Sequence, residues 1–307
     1  MTIRLSWPSQ ASKGLTAIEI YRKAGWNATL DVNNPGTPIA TLSGTAVEFV
    51  DDIATLTKNT TYRYWVAGVK GTERLIGNPV TQGFFPDTGP GPQTLKRGDW
   101  ACGYFGTLTN AEFFNRQELQ LLLNSQQAGM FTADPATWHK FVFRGRILFF
   151  PATYHSNTNS VLMAYQRGML YGTDDNGTII PSGATATKQD CKVTKDGRAY
   201  RIRLPYAVPY DAAGSGQDYA NGEWRNTFAR LFPVSTTFSQ AGIGSFDSLA
   251  LLGSTTSVTD PGASAQAPVY STGNYIYSYG YAPTSFNVVS GVNTAATLFF
   301  VFELVLP

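Results

Sequence analysis

The stretch Trp138-His-Lys-Phe-Val-Phe-Arg-Gly-Arg-Ile-Leu-Phe-Phe-Pro decides the fold of this chain. Two runs of aromatic and aliphatic residues, 138–143 and 146–150, flank an Arg-Gly pair, and this order predicts a strand, a turn and a second strand. Similar runs predict further strands at 191–194, 199–204 and 298–305. We therefore expect this part of the chain to form a rigid, aromatic, β-rich domain.

The composition favours a mainly β protein. Of 307 residues, 43% are hydrophobic, 13% are aromatic and 14% are charged, against roughly 25% charged residues in an ordinary soluble domain. The 30 glycines and 17 prolines supply turns, and the sparse charge indicates a surface partly covered by neighbouring molecules. A net charge of +2 does not favour a nucleic-acid partner, and no apolar run is long enough to cross a membrane.

Residues 1–85 carry the pattern of a small β-sandwich. Short alternating runs are separated by turn-forming residues, and no helical period is present. Residues 1–7 alternate like a strand and lack the apolar core of a signal peptide, so we expect synthesis in a cytoplasm without export by that route. Segment 86–97 begins Pro-Asp-Thr-Gly-Pro-Gly-Pro, which predicts a linker, with a second domain at 98–307.

Several motifs of the first domain occur in a characteristic order. They are Leu5-Ser-Trp-Pro, Ile18-Glu-Ile-Tyr-Arg, Phe49-Val-Asp-Asp and Tyr62-Arg-Tyr-Trp-Val-Ala-Gly-Val. Together they resemble the strand signatures of a fibronectin type III domain. The resemblance implies that Trp7 fills the core and that Tyr62 leads into the sixth strand. Such domains serve as spacers or adhesion modules, so the fold alone gives no function.

The second domain is predicted to be β-rich, of the α+β type, with one clear helix. The run 108–124 has the apolar spacing of a helix, with Thr109 or Asn110 as its cap and Glu112 in its first turn. A shorter helix is predicted from Ser160 to Arg167. Residues 235–296 are rich in Ser, Thr, Gly, Ala and Tyr with weak periodicity, and we expect long surface loops there.

Candidates for catalytic or metal chemistry are few. A catalytic serine needs a histidine base and an acid that orients it, but no Gly-x-Ser-x-Gly motif lies near His139 or His155, and we predict both to be surface or loop residues. Cys102 and Cys191 are predicted to be buried free thiols rather than a disulfide. Two histidines and two distant cysteines do not suggest a zinc site. We therefore predict no catalytic residue, no metal and no cofactor.

The acidic residues are candidates for two further kinds of site. Asp174-Asp-Asn-Gly-Thr resembles part of a calcium loop but lacks the later ligands, and a turn is predicted. A pair of carboxylates can hydrolyse a glycoside, and Glu223 and Glu303 both lie in apolar segments. For Glu223 we favour a buried salt bridge with Arg225 or another arginine.

Two aromatic segments are candidate contact surfaces. Tyr275, Tyr277, Tyr279 and Tyr281 recur at period two, so on a strand they share one face, which could stack on sugars, bind a protein or pack within the same subunit. The C-terminal run is almost continuously apolar and must be buried on both faces or covered by another subunit. Its candidate assembly residues are Phe299, Phe300, Phe302 and Leu304.

The larger domain carries a second ordered set of motifs. Gly103-Tyr-Phe-Gly, the predicted helix and Trp138 precede Gly145-Arg-Ile-Leu-Phe-Phe-Pro, Gly197-Arg-Ala-Tyr-Arg-Ile-Arg-Leu-Pro, Gly222-Glu-Trp-Arg-Asn and Phe302-Glu-Leu. Over 98–307 this order resembles a domain of tailed-bacteriophage virion proteins. Near its end that pattern reads closer to Arg-Pro-Val-Leu-Glu-Leu, where Phe300-Val-Phe-Glu-Leu stands here.

The second resemblance implies a non-enzymatic structural component of a phage particle. Its location would be the virion, and its partners would be other virion proteins and copies of itself. Head, neck, tail and fibre are not distinguished. The alternative is a carbohydrate-binding or adhesive module that contacts a host surface glycan through the tyrosine segment.

Overall fold

The computed structural model describes residues 2–153, 155–206, 222–231, 266–267, 275–279, 286–290, 293 and 295–307. The chain divides into two compact units. The first runs up to Thr88 and includes Asp99–Ala101 and Leu306–Pro307, and the second comprises Gly89–Gly98 and Cys102–Val305. Within the described residues the fold is mostly β and every strand pair is antiparallel, so the predicted fold class is confirmed. No helix in these ranges is both long and apolar enough to cross a membrane.

The first unit is a β-sandwich. Its strands are β1 (Arg4–Ser6), β2 (Ala17–Ala24), β3 (Ala40–Ser43), β4 (Glu48–Val50), β5 (Thr60–Lys70), β6 (Glu73–Ile76) and β7 (Val80–Phe84). The larger sheet has the order β3-β2-β5-β6, with β7 also paired to β5, and β1 pairs with β4 in the smaller sheet. Short 3-10 turns occur at Ala11–Lys13 and Ile53–Thr55.

The core of the first unit lies between its two sheets. Because side chains alternate along a strand, Ile18 and Ile20 of β2 share one face and pack in the same buried cluster as Leu5 of β1. Fully burying such side chains contributes roughly 1.5–3 kcal/mol each. Trp7 is only partly buried at the margin of this cluster, and its Nε1 donates to the Ala46 carbonyl at 2.8 Å.

The buried Tyr62 ties the start of β5 to the preceding loop. Its hydroxyl oxygen accepts a hydrogen bond from the Thr57 backbone N–H at 2.7 Å. We expect Tyr62→Phe to lower the free energy of unfolding of the first unit by about 1 kcal/mol, because the Thr57 N–H loses its partner while the packed ring remains. Hydrogen exchange of the β5 amides under mild denaturant measures this loss. Unchanged protection would show that the hydrogen bond does not stabilise the sandwich.

The second unit is built around one large antiparallel sheet. Its order is β13-β14-β19-β11-β10-β9-β8, while β12 pairs with β18 and β16 lies between β15 and β17. The strands of this unit are β8 (Arg97–Gly98), β9 (Cys102–Leu108), β10 (Trp138–Phe143), β11 (Arg146–Pro151), β12 (Ser156–Asn159), β13 (Lys192–Lys195), β14 (Arg198–Arg203), β15 (Gln266–Ala267), β16 (Tyr275–Tyr279), β17 (Phe286–Ser290), β18 (Ala296–Leu298) and β19 (Val301–Leu304).

The single helix predicted over 108–124 is replaced by two short helices. They are α1 (Arg116–Leu122) and α2 (Ser125–Ala128). The expected cap at Thr109 or Asn110 is wrong, because Asn115 and Glu118 form a capping box that starts the helix at Arg116. Thr109 and Glu112 instead close a separate hydrogen-bonded turn. The second predicted helix is confirmed as α3 (Val161–Gln166), which Ser160 caps.

The expectation of long loops over 235–296 is wrong where the structure describes this region. There β15, β16 and β17 form an antiparallel sheet, in which Tyr277 of β16 is opposite both Ala267 and Val288. The alternation of Tyr with other residues in 275–279 is the period-two pattern of a strand. Most of the remaining positions of 235–296 lie outside the described residues.

The segment 86–97, predicted as a linker, lies largely in the second unit and is held there by a buried lysine. Lys140 of β10 is fully buried. Its Nζ donates to the carbonyl oxygens of Gly89, Pro90 and Pro92 at 3.3, 3.0 and 2.8 Å. An ammonium group has three donors, so this one side chain anchors three carbonyl groups of the proline-rich segment.

Removing the Lys140 ammonium should loosen that segment. We expect Lys140→Met, which keeps an apolar stem of similar length, to cost about 2 kcal/mol because charge-assisted hydrogen bonds are lost. Limited proteolysis should then cleave faster within 86–97. Lys192→Met, which removes an exposed lysine paired with Asp190, is the control and should change little. Equal cleavage rates in Lys140→Met and the unsubstituted protein would contradict the anchoring role.

Candidate functional site: a buried charge network in the second unit

Charged side chains from distant segments meet inside the second unit. Arg146 lies on β11, Arg203 ends β14, Glu303 lies on β19, and Glu223 begins the short helix α4 (Glu223–Asn226). We call these residues the charge network. Arg203 and Glu223 are fully buried, while 12% of the Glu303 side chain and 25% of the Arg146 side chain are exposed.

Strand alternation places the network on one face of the sheet. On β14, Tyr200 and Ile202 belong to the buried aromatic side, so the intervening Arg201 and the following Arg203 point to the opposite face. On β19, Phe302 and Leu304 are similarly buried on either side of Glu303. Glu303 stands opposite Arg201, so Arg203 is its diagonal neighbour across the strands, which is within reach of long side chains.

Arg203 holds both carboxylates at once. Its Nη1 and Nη2 donate to the two oxygens of Glu223 at 2.7 and 2.8 Å, a bidentate pair. Its Nε and Nη2 also donate to Oε2 of Glu303, at 2.9 and 2.7 Å. Arg146 adds a third donor to the same Glu303 oxygen at 3.0 Å. Each buried charge therefore has opposite charges at hydrogen-bond distance.

The network is electrically balanced, with two guanidinium groups and two carboxylates. Burial alone would raise the pKa of Glu303, but the charges of Arg203 and Arg146 outweigh burial and hold that pKa below its usual value. Burial alone would lower the pKa of Arg203, yet Glu223 and Glu303 raise it well above the usual value. Glu303 and Arg203 are consequently ionised at neutral pH, and the attraction between the opposite charges of the network offsets their loss of hydration.

Tyr206 covers the network and attaches α4 to it. Its ring centroid lies 4.4 Å from Cζ of Arg203, a cation–π contact. Its hydroxyl donates to the Tyr171 carbonyl at 2.6 Å, and its carbonyl accepts from the Trp224 N–H at 3.2 Å. These contacts hold Tyr206 next to α4.

The geometry assigns the network a structural role. Both carboxylates are engaged by arginines, and the ion pairs join β11, β14, β19 and α4. The predicted buried salt bridge of Glu223 is present, with Arg203 as the partner. Sequence reasoning missed Arg146 and Arg203 as members. A usable signal was present, since Tyr200-Arg-Ile-Arg-Leu-Pro places an arginine at the buried end of a strand.

Both histidines are buried. The prediction of a surface or loop residue is therefore wrong for His139, which lies on β10, whereas His155 lies in the loop before β12 but not at the surface. His155 is 1% exposed and lies among Phe131, Trp138 and Phe300, with the Phe131 ring stacked on it at 5.0 Å. Neither of its ring nitrogens has a hydrogen-bond partner within the described part of the chain, and burial lowers its pKa to about 3. The polar sequence after His155 concealed this burial, because the rings around it come from distant segments.

His139 lies in a second aromatic setting. It is 2% exposed, its Nδ1 lies 3.0 Å from the Tyr104 hydroxyl, and the Phe228 ring meets its edge. Burial lowers the pKa of His139 to about 4. Both imidazoles are therefore neutral at pH 7 and serve as packed rings.

The two cysteines are free thiols, as predicted, but the predicted burial is wrong for Cys102, which is only partly buried. Cys191 is buried next to β13, and burial raises its pKa to about 12. Cys102 is on β9, and β14, β19, β11 and β10 lie between these two strands in the sheet. At about 4.8 Å per strand step the cysteines are roughly 20 Å apart or more, well beyond the reach of a disulfide.

The Asp174 segment forms a turn, as predicted. Asp175 Oδ1 accepts from Thr173 Oγ1 at 2.6 Å and from the Gly177 N–H at 2.8 Å. Among the residues that the structure describes, no group of three His, Cys, Asp or Glu side chains is placed to hold a metal ion.

The predicted contact segments have different outcomes. Phe299, Phe300, Phe302 and Leu304 are all buried, and β19 is flanked by β14 and β11 of the same chain. Of the two alternatives for this segment, burial within the chain's own sheet is the one observed. Tyr275, Tyr277 and Tyr279 lie on β16, but the directions of their side chains and all of Tyr281 lie outside the described residues.

No family model, curated protein or solved structure matches this chain.

Proposed function

We propose that this protein is a non-enzymatic structural component of a tailed-bacteriophage particle and assembles in multiple copies. The observation that carries the proposal is the convergence of spaced motifs on the charge network. Arg146 comes from Gly145-Arg-Ile-Leu, Arg203 from Tyr200-Arg-Ile-Arg, Glu223 from Gly222-Glu-Trp and Glu303 from Phe302-Glu-Leu. These motifs are far apart in the sequence, but their side chains meet in one buried contact and therefore belong to a single structural unit. This supports reading the motifs together, as one set, in the resemblance to virion proteins.

The use of titratable groups supports a structural rather than a chemical role. Glu223 and Glu303 are bound by arginines, and His139 and His155 are neutral rings inside the core. A general acid or base needs a group near its working pKa within reach of a substrate. These four residues are instead engaged in ion pairs and ring packing inside the second unit.

The sandwich supports a spacer role for the first unit. Tyr62 near the start of β5 binds backbone five residues upstream, in the manner of the tyrosine corner of immunoglobulin-like sandwiches. That contact is consistent with the resemblance to a fibronectin type III domain. A spacer of this kind would project from the particle or lock a neighbouring subunit, while the rigid second unit docks.

Quantitative mass spectrometry of gradient-banded particles tests the proposal. Particles of the phage whose genome encodes this chain are purified, and isotope-labelled peptides calibrate the amount of the chain against the major capsid protein. We expect a constant, stoichiometric ratio across the particle band, as symmetric particles require. Presence in the infected lysate with absence from intact particles would overturn the proposal.

A further inference from the structure

The strand β19 fills a gap between two parts of the main sheet. Its neighbours β14 and β11, like the other strands of this sheet, come from residues 97–203, whereas β19 follows the long segment 232–295. It forms four residue pairs with β14, from Arg203↔Val301 to Tyr200↔Leu304, and pairs with β11 at Leu148↔Glu303 and Phe149↔Phe302. We call the space between β11 and β14 the strand slot.

The side chains around the strand slot fit a particular pattern of residues in the strand that occupies it. On its apolar side the Phe302 ring packs against Trp138 at 5.1 Å, Phe114 at 5.4 Å and Phe113 at 5.6 Å. On its polar side Arg146 and Arg203 both donate to Glu303. The slot therefore fits an extended segment in which a carboxylate follows an aromatic residue and precedes an aliphatic one, as in Val301-Phe-Glu-Leu.

An empty slot would be costly in two ways. The apolar rings would face water, and Arg146 and Arg203 would be left with Glu223 as their counter-charge within the network. The unpaired edges of β11 and β14 would also be open to a further strand. Both costs disappear whenever a segment with the sequence of β19 is inserted, whichever copy of the chain supplies it.

We propose that β19 is an exchangeable strand, so that in the assembled protein β19 of one copy occupies the strand slot of another copy. Exchange of identical segments between copies preserves every strand pair and ion pair. The 64 residues of 232–295 connect β19 to the preceding part of its own chain, and the loop-closure cost of a connection grows only slowly with its length. Reciprocal exchange closes a dimer, and head-to-tail exchange builds a ring or a filament.

This inference rests on the proposed function in expecting repeated copies, and it names a second copy of this chain as the partner. It also gives the predicted assembly residues a role compatible with their burial. Phe302 and Leu304 would be buried in the same contacts, but across two chains. Main-chain pairing would supply affinity, and the aromatic and ionic contacts would supply register.

A pair of cysteines placed across β14 and β19 tests the exchange. The Val305 N–H donates to the Ala199 carbonyl at 2.9 Å, so these positions are directly opposite each other just beyond the end of β19. Opposite residues in such a pair have Cα atoms about 5.5 Å apart, which is within the range of a disulfide. Val305 is 37% exposed and Ala199 is half-buried, so substitution should preserve the core.

Two full-length single variants, Ala199→Cys and Val305→Cys, are co-expressed with different tags, purified and oxidised. Only an exchanged strand brings these two positions together when they are on different chains. We expect covalent dimers that join the two tagged chains, at least tenfold above either variant alone, with the disulfide mapped by mass spectrometry to positions 199 and 305. The single variants alone control for disulfides through Cys102 and Cys191.

The double variant Ala199→Cys/Val305→Cys supplies a second measurement. If the strand is exchanged, oxidation links separate chains covalently into dimers or larger oligomers. If each chain closes its disulfide within itself and the mixed single variants remain unlinked, the exchange is overturned. Particle mass spectrometry reports separately on the proposed function, because unexchanged copies found in particles would overturn only this inference.

Discussion

Glu223→Gln is expected to lower the free energy of unfolding of the second unit by about 3–5 kcal/mol, the usual cost of breaking a buried ion pair from one side. Both Glu223 and Arg203 are fully buried. The substitution keeps the size and shape of the side chain, so it creates no cavity. It removes one of two negative charges, and Glu303 is then left to balance both Arg203 and Arg146.

Hydrogen exchange of the amides on β11, β14 and β19 measures this loss within the second unit alone. Glu118→Gln is the matched control, because Glu118 pairs with Lys195 at the surface and 36% of its side chain is exposed. Glutamine preserves the capping box at α1, so we expect the control to cost less than about 1 kcal/mol. Equal losses in the two variants would contradict the importance of the buried network.

Replacing both partners should be milder than replacing one. In Arg203→Met/Glu223→Leu the buried pair becomes apolar, and such replacements are often nearly neutral. Glu303 keeps Arg146 as its partner at 3.0 Å. We therefore expect the double variant to recover part of the stability lost in Glu223→Gln, since Glu303 still loses its two hydrogen bonds from Arg203.

Local sequence pattern predicts a strand well when the strand is buried on both faces. The predicted bounds 138–143 coincide with β10, in which all six residues are buried. A continuous apolar run reports burial directly, so no knowledge of its neighbours is needed. The strand β6 was not predicted, because Glu73-Arg-Leu-Ile is exposed and has no such run.

Contacts between distant segments could not be predicted in the same way. The apolar setting of Glu223 indicated a buried ion pair, but the identification of Arg203 as a partner depends on β14 ending beside α4. That placement follows from the insertion of β19 between β14 and β11, a non-local feature of the topology. Lys140 was similarly missed as an anchor, although a lysine within an aromatic run signals a buried cation with backbone partners.

The burial of His155 illustrates a further limit of sequence reasoning. The segment after His155 is polar, which predicts exposure. In the structure the Asn159 side chain instead donates hydrogen bonds to the Met130 carbonyl and to the Ser156 hydroxyl. The aromatic surroundings of His155 come from Phe131, Trp138 and the C-terminal strand region. Their assembly is a property of the folded sheet and cannot be read from the neighbours of His155 in sequence.

Lowering the pH from 7 to 5 is expected to destabilise the second unit through its two buried histidines. In the unfolded chain each imidazole takes up a proton near pH 6.5. In the folded unit burial lowers the pKa of His155 to about 3 and that of His139 to about 4. Below pH 6.5 the unfolded state therefore binds more protons, and stability falls by about 1.4 kcal/mol per pH unit for each histidine.

Between pH 6 and 5 the change in stability reports the titration of the histidines and not that of the carboxylates. The pKa of Glu303 is held below its usual value by Arg203 and Arg146. Glutamate in the unfolded chain titrates near 4.3. The contribution of Glu303 is therefore lost only below that pH, as its carboxylate gains a proton. Above pH 7.5 both imidazoles are neutral in either state, so stability should not depend on their titration there.

His155→Phe should remove about half of this acid sensitivity. Phenylalanine has no ionisable group and suits the surrounding aromatic rings, so we expect equal or greater stability at pH 7.5. Between pH 6 and 5 the slope of unfolding free energy against pH should decrease by about 1.4 kcal/mol per unit relative to the unsubstituted protein. Denaturant titrations at each pH, monitored by hydrogen exchange of the β10 and β19 amides, give this slope for the variant and for the unsubstituted protein. Parallel slopes would mean that His155 gains its proton without opening the core, which contradicts its burial among Phe131, Trp138 and Phe300.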